Sequence, residues 1–367
     1  MTRPFLYLIP AICCMVMLPL SEAKTPATGS SQGMLLVAER PRAAQGGQGE
    51  AEGVIGIVDP ETGKEVAAIP EGGIIAHMVT VAPPDSNIAF VPIYGTGGVG
   101  NQGNDGSKIS VIDLDQKKVI DSIDFGHGSR PHEIFYNPKD GLLYVTTEID
   151  YALTVVDPKT RKIVGTIPTG QPESHDFVFS PDGKRAYTVN VFAGTISVLD
   201  LVNRKLVAIV PVVTDGVGGA YGPGSAFRKM MVQRISISPD GRTIYTQDQR
   251  HQALAVLDTK SLKVTGSVPL PQRGLGSAVT PDGHHVIAAG GDQVTIVDVK
   301  TMQVVKSIPT PKTPQEIFIR PDGQIAYVTV NNAPKVVAIR ISDWTVDKML
   351  DIGDSNSEGM AWWSGGK

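Results

Sequence analysis

Short runs of alternating apolar and polar residues, separated by turn sequences, repeat along the chain. The clearest copy is the turn Ser180-Pro181-Asp182-Gly183, which is followed by the strand-like run Arg185–Asn190. Proline presets the first turn dihedral, aspartate can bond its own backbone, and glycine accepts a positive φ. The turn proline recurs as Pro83, Pro138, Pro181, Pro239, Pro281 and Pro321. These copies lie roughly 40 to 60 residues apart, and repeats of about this length are typical of β-propeller blades.

A second marker, an apolar pair followed by aspartate, ends the third strand of each repeat. It occurs at Asp59, Asp113, Asp157, Asp200, Asp258 and Asp298. Each repeat therefore predicts four short strands, which in the fourth repeat are Asp176–Phe179, Ala186–Asn190, Thr195–Asp200 and Leu206–Val210. No helical apolar period follows the first 23 residues. We predict an all-β fold, a seven-bladed β-propeller over residues 34–367. Its C-terminal strand, Glu358–Trp363, should complete the N-terminal blade and close the ring, which removes free sheet edges.

A tyrosine-containing motif follows several of the turns and carries a family resemblance. It is Tyr-Val-Thr-Thr at 144–147, Tyr-Thr-Val-Asn at 187–190 and Tyr-Val-Thr-Val-Asn at 327–331. The chain resembles the YVTN family of seven-bladed propellers, which is similar to lactonase-like and cytochrome-d1-type propellers. The resemblance covers nearly all of residues 34–364, and the sixth repeat departs from it with Ile287-Ala288-Ala289-Gly290. It implies the fold but no single activity, because the family includes enzymes, binding proteins and cell-surface proteins.

The N-terminus predicts export. Residues 1–23 contain Arg3, an apolar run from Phe5 to Leu20 and the small residue Ala23, which is the pattern of a signal peptide cleaved after Ala23. An uncleaved anchor and a lipid anchor on Cys13 are the alternatives. We expect residues 24–33 to be a flexible N-terminus, and the mature protein to be periplasmic or secreted with no membrane span. Both cysteines lie within residues 1–23, so the mature chain has no disulfide or thiol chemistry.

The composition limits the classes of partner. The net charge is −4, so the chain has no general attraction for nucleic acid or anionic lipid. Three long insertions, Glu39–Gly53, Tyr94–Ser107 and Thr214–Met231, are expected on the same face of the propeller. Long loops on one face of a rigid scaffold often carry function. The third insertion contains Tyr221, Phe227 and Arg228, which we expect to cover a ligand at the channel mouth.

The strongest chemical signal lies six residues before the turn proline, at the start of each first strand. Successive repeats have His77, His132 and His175 at this position, and the C-terminal strand offers Glu358 in the same register. First strands line the central channel of a propeller, so these side chains should converge at its mouth. Three imidazoles and a carboxylate are a suitable ligand set for zinc, copper or iron. Glu133 and Asp176, the next residues along, are candidates for orienting the rings.

Other interpretations of this position remain open. Later repeats carry Gln233 and Gln315 there, which suits a polar small-ligand site without metal or a structural hydrogen bond between blades. Arg234 and Glu316, one residue further on, could form an ion network with Glu133 along the channel.

The expected function is binding of a small ligand or metal ion at the channel mouth. Metal-assisted or acid/base chemistry of the lyase or lactonase type would fit such a site, with no catalytic residue assigned. The alternative is a non-catalytic module whose long loops bind another envelope protein. The sequence contains neither a serine nucleophile elbow nor a Cys-x-x-Cys-His motif for covalent haem.

Overall fold

The structure, a computed structural model, describes residues 33–40, 52–96, 99, 104–213, 230–331, 333–353 and 356–365. The predicted signal peptide and residues 24–32 of the predicted flexible N-terminus lie outside this range, as do Tyr221, Phe227 and Arg228. Every helix-or-strand element within the described ranges is a β-strand. In those ranges no helix has the length and apolar character needed to cross a membrane.

Five sheets have four strands each, and each sheet is built from strands consecutive in the chain. The first contains β4 (Thr80–Val81), β5 (Ile88–Gly95), β6 (Asp105–Asp113) and β7 (Lys118–Asp124). The second contains β8 (Pro131–Asn137), β9 (Leu142–Thr147), β10 (Ala152–Asp157) and β11 (Lys162–Pro168). The third contains β12 (Ser174–Phe179), β13 (Arg185–Asn190), β14 (Thr195–Asp200) and β15 (Lys205–Pro211). The fourth contains β16 (Ile235–Ile237), β17 (Thr243–Asp248), β18 (Ala253–Asp258) and β19 (Lys263–Pro269). The fifth contains β20 (Gly274–Val279), β21 (His285–Gly290), β22 (Gln293–Asp298) and β23 (Gln303–Pro309).

A sixth sheet combines both ends of the chain. Its strands are β1 (Met34–Arg40), β2 (Val54–Asp59), β3 (Lys64–Pro70), β24 (Pro314–Ile319), β25 (Ile325–Val330), β26 (Lys335–Arg340), β27 (Thr345–Asp351) and β28 (Asn356–Trp363). The strand order is β24-β25-β26-β27-β3-β2-β1-β28. The C-terminal strand β28 pairs antiparallel with β1, as predicted, whereas β27 meets β3 through the single parallel pair Asp351 and Lys64.

The repeat pattern correctly predicts the strands and the turns. The four strands expected in the fourth repeat are confirmed as β12 to β15, the third of the four-stranded sheets above. Each strand agrees with its prediction within two residues at either end. In the turn between β12 and β13, Gly183 has a φ of 68°, and its amide donates a 2.8 Å hydrogen bond to the Ser180 carbonyl. The Ser180 hydroxyl donates to Asp182 Oδ1 at 2.6 Å. The turn therefore uses the positive φ that favours glycine there.

The first strands of the sheets face one another around a common centre. In order, β4 contacts β8, β8 contacts β12, β12 contacts β16, β16 contacts β20, β20 contacts β24, β24 contacts β28, and β28 contacts β4 again. We call the space between these strands the central channel. Such an arrangement of four-stranded sheets is that of a β-propeller.

Apolar side chains between neighbouring sheets form the core. Middle strands such as β14 are buried along most of their length, whereas the outer strand β3 alternates exposed and half-buried positions until its buried Ile69. One core cluster packs Leu36 and Ile57 against Val91 of the next sheet and Val79, which directly precedes β4. Full burial of each such side chain contributes about 1.5–3 kcal/mol. This packing holds the sheets at fixed positions around the channel.

Candidate metal centre

A local irregularity in the first strands brings polar side chains to the channel. The register of β8 against β9 shifts between Pro131 and Ile134, and that of β12 against β13 shifts between Ser174 and Phe177. Shifts of this kind are typical of β-bulges, which redirect side chains. The two residues inside each shift, His132 with Glu133 and His175 with Asp176, are all buried and polar.

The three histidines predicted from the repeat lie together in the structure. Nδ1 of His77 is 3.0 Å from Nε2 of His132, and the rings of His132 and His175 are 3.8 Å apart between centroids. All three side chains are buried. Three separate first strands, or the residues just before them, thus supply one cluster of imidazoles.

The carboxylate that joins this cluster is Glu148, which follows β9. Its Oε1 is 2.6 Å from Nδ1 of His175. Ligand atoms of His132, Glu148 and His175 all lie within 4.8 Å of one another. Glu148 is not among the residues selected from the sequence. A signal for it exists, because the corresponding position four residues after the motif tyrosine is also polar in the fifth and seventh repeats, as Gln249 and Asn331.

Glu358, the carboxylate selected from the sequence, lies in a separate polar group. It forms an ion pair with Arg40 and accepts hydrogen bonds from Gln315 Nε2 at 2.9 Å and Asn331 Nδ2 at 3.2 Å. The neighbouring Gly359 amide donates to the His77 carbonyl at 2.7 Å. The closing strand therefore touches the backbone at His77, while the Glu358 carboxylate is held by Arg40 and two amides.

Glu133 and Asp176, selected as residues that orient the rings, make their contacts in the next layer of the channel. Glu133 Oε2 accepts from Arg234 Nη1 at 3.0 Å, and the same nitrogen is 3.0 Å from Glu316 Oε2. Asp176 accepts from the backbone amides of Phe177 at 2.7 Å and Ile235 at 3.1 Å. The structure thus brings Glu133, Arg234 and Glu316 into one ion network across the channel.

Burial controls the protonation of the cluster. Desolvation lowers the pKa of His77 and His132 well below its usual value and lowers the pKa of His175 to about 3. Desolvation also raises the pKa of Glu148 to about 7. The imidazoles are therefore neutral at pH 7, which is the form that binds metal.

Some polar atoms of the cluster have no hydrogen-bond partner among the described residues. They are Nε2 of His77 and Nδ1 of His132. A buried polar group without a partner costs about 1–3 kcal/mol, and an ion or a water molecule is the usual explanation. Neutral imidazoles, an adjacent carboxylate and unpaired ring nitrogens together form a donor set that suits a divalent transition metal.

Comparison with known proteins supports the fold and leaves the activity open. No protein-family model matches the chain, and no curated protein matches it. Among solved structures it is similar to Kuenenia stuttgartiensis hydrazine synthase, with a TM-score of 0.61 and 18% sequence identity over 80% of this chain and 90% of that chain. Together with the sheets described above, this likeness indicates a β-propeller-like fold.

Proposed function

We propose that this protein is an exported β-propeller that binds one divalent transition metal ion, zinc, copper or iron, in its central channel. His132, His175 and Glu148 would be the ligands, with His77 beside them. The observation that carries the proposal is the buried group of two neutral imidazoles and one carboxyl group whose ligand atoms lie within 4.8 Å of one another. The 3.0 Å contact between His77 and His132 supports it, because adjacent ligands of one metal also lie at such separations.

We also infer seven blades and a relation to the YVTN family. The eight-stranded sheet is joined in its middle by a single residue pair, so we count it as two blades beside the five four-stranded sheets. The closed series of seven first strands supports the same number. The Tyr-Val-Thr-type motifs at the second strands support the family relation.

The ligand set favours metal-assisted chemistry over a purely structural metal. Three protein ligands leave a coordination position for water or substrate, and a bound water acquires a pKa near 7 in such zinc sites. Hydrolysis of a lactone or ester, or a lyase reaction that needs a polarised carbonyl, are reaction classes that this position would support. If His77 is a fourth ligand, the site is closed and the metal is structural.

Elemental analysis of the untagged mature protein, purified from the periplasm without chelators, tests the proposal. We expect about one equivalent of zinc, copper or iron per chain in the wild type and loss of that metal in His132→Ala, His175→Ala and Glu148→Ala. The control is His284→Ala, because the ring of His284 is 76% exposed and lies on a turn. No metal after purification and none after reconstitution would overturn the proposal. N-terminal sequencing of the same preparation tests export, for which we expect a start at residue 24.

A further inference from the structure

Arg234 lies in the channel one residue layer away from the histidine cluster. Its Nη1 pairs with Glu133, which directly follows His132 in β8, and with Glu316 from β24. The side chain of Arg234 is 2% exposed. The Thr246 hydroxyl donates a 2.7 Å hydrogen bond to the Arg234 carbonyl, which fixes the backbone that carries the side chain. The guanidinium is therefore a buried group in a fixed position.

The other two nitrogens of this guanidinium have no acceptor. Nε and Nη2 of Arg234 are buried and have no hydrogen-bond partner within the part of the chain that the structure describes. These two N–H groups are parallel and form the side-on pair with which arginine binds a carboxylate in two hydrogen bonds. Met78 Sδ lies 4.0 Å from Nη1, the nitrogen outside this pair.

Two other arginines of the same protein show how such a pair is normally occupied. Arg130 directs Nε and Nη2 at Asp105 Oδ1, at 2.9 and 2.6 Å. Arg273 directs the same pair at Gln249 Oε1, at 3.1 and 2.6 Å. In both cases a side-chain oxygen of the protein fills the pair. Arg234 differs from both, because its buried pair meets no oxygen within the described part of the chain, and unmet buried donors carry a desolvation cost.

We propose that the Nε and Nη2 groups of Arg234 bind a small planar oxyanion of the carboxylate type that enters the channel. This ligand class matches the geometry of the two donors, because a carboxylate presents two oxygens side by side. The inference deepens the proposed function and rests on it in one respect. The positive charge of the metal offsets the carboxylates of Glu133, Glu316 and Asp176, which would otherwise oppose an anion at this depth. The metal site would then act on carboxylate-bearing or oxyanionic substrates.

Formate binding to the zinc-loaded protein tests this proposal, with acetate and nitrate as further probes. Calorimetric titration would compare the wild type with Arg234→Lys, which keeps a positive charge for Glu133 and Glu316 but lacks the paired donors. Arg273→Lys is the matched control, since Gln249 already fills its pair. We expect formate to bind about tenfold or more weakly to Arg234→Lys and equally to Arg273→Lys. Zinc content should be the same in all three proteins.

Several results would overturn the inference. They are equal formate affinity in the wild type and Arg234→Lys, no binding of any of the three probes to the zinc-loaded wild type, or a high-resolution structure of the formate-soaked protein with only water at Nε and Nη2. The metal proposal is tested separately, through zinc content. If the protein takes up no zinc, the charge that offsets the carboxylates is missing and the inference fails together with the metal proposal, whereas normal zinc content without formate binding overturns the inference alone.

Discussion

The hydroxyl of Tyr94 donates a 2.7 Å hydrogen bond to Oε2 of Glu148. The other oxygen of Glu148 faces His175, and the Tyr94 ring stacks on His77 with 4.2 Å between centroids. One residue at the end of β5 therefore contacts both the carboxylate and an imidazole of the candidate metal centre. The guanidinium carbon of Arg130 lies 5.5 Å from the centroid of the Tyr94 ring and adds a cation–π contact.

We expect Tyr94→Phe to weaken metal binding by about 10- to 100-fold, which is the usual effect of removing a hydrogen bond that orients a ligand. The phenyl ring keeps the stack on His77, so the change isolates the hydroxyl. Competition with a chelator of known affinity would measure the effect. Tyr144→Phe is a matched control, because the Tyr144 hydroxyl also bonds a carboxylate at 2.7 Å, that of Asp140 on a turn. Equal metal affinity in Tyr94→Phe and the wild type would show that Glu148 does not depend on Tyr94.

The buried histidines predict loss of stability in acid. His175 has a pKa of about 3 in the folded protein because burial disfavours its charged form, against a usual value of 6.5. When the pH is lowered, His175 is therefore protonated in the unfolded chain before it is protonated in the folded protein. The free energy of unfolding thus falls as the pH drops from 6.5 toward 3. In chelator-treated protein, we expect the wild type to lose up to about 1.4 kcal/mol per pH unit relative to His175→Asn across this window. Urea unfolding at pH 7.5, 6 and 5 measures the difference.

His127 supplies a control of opposite sign. Its hydrogen bond with Asp150 raises the pKa of this exposed imidazole. The stability it contributes is therefore present at low pH and decreases as the pH rises. His127→Asn should thus lose stability relative to the wild type in acid, in contrast to His175→Asn. A pH-independent difference for His175→Asn would mean that the ring is not desolvated as described.

The sequence predicted the strands well because turns and alternation are local properties. The Pro-Asp-Gly turn fixes where β12 ends and β13 begins, and the side-chain period of two then determines which residues face the core. The same regularity aligned His77, His132 and His175, because equivalent positions of successive repeats lie near one another around a ring.

Local sequence did not determine which carboxylate lies beside the histidines. Glu358 has the right register, but Arg40 approaches it from β1, and a buried carboxylate is stabilised by such a pair. Glu148 approaches His175 from a different sheet, so its repeat position marks it as polar but its contact with the imidazole follows only from the distance between the sheets. The register shift at Pro131–Ile134 also has no sequence signature here, and it explains why both His132 and Glu133 have polar partners in the channel. Contacts across the channel therefore required the structure.

The junction between the two ends of the chain should be sensitive to alkaline pH. Burial raises the pKa of Glu39 to about 9, and the nearby Glu65 carboxylate adds to the shift. Glu65 Oε2 in turn accepts a 2.8 Å hydrogen bond from the Gly353 amide, beyond the end of β27. The folded protein keeps a proton on Glu39 that the unfolded chain releases above pH 4.5, so stability falls as the pH rises from 4.5 to about 9.

Glu39→Gln removes this proton requirement while keeping the size of the side chain. We compare the unfolding free energy of the variant with that of the wild type at pH 5.5 and at pH 8.5. The difference in favour of the variant should be larger at pH 8.5, by up to about 1.4 kcal/mol for each pH unit between the two values. Denaturant titrations at the two pH values would measure the gain, with pH 5.5 as the internal reference. The same difference at both values would contradict a protonated Glu39.

The closing strand β28 should also control the position of His77. A Cβ atom on Gly359 would lie 2.5 Å from Met78 Sδ and 2.6 Å from the His77 carbonyl oxygen, which accepts the Gly359 amide at 2.7 Å. Because a backbone atom cannot give way cheaply, we expect Gly359→Ala to destabilise the protein by about 1–3 kcal/mol and to weaken metal binding by moving His77. Gly266→Ala in β19 is the control, since a Cβ there meets no atom within 4 Å. Thermal unfolding and chelator competition on both variants would test the link, and an unchanged metal affinity in a destabilised Gly359→Ala would mean that His77 is not held through β28.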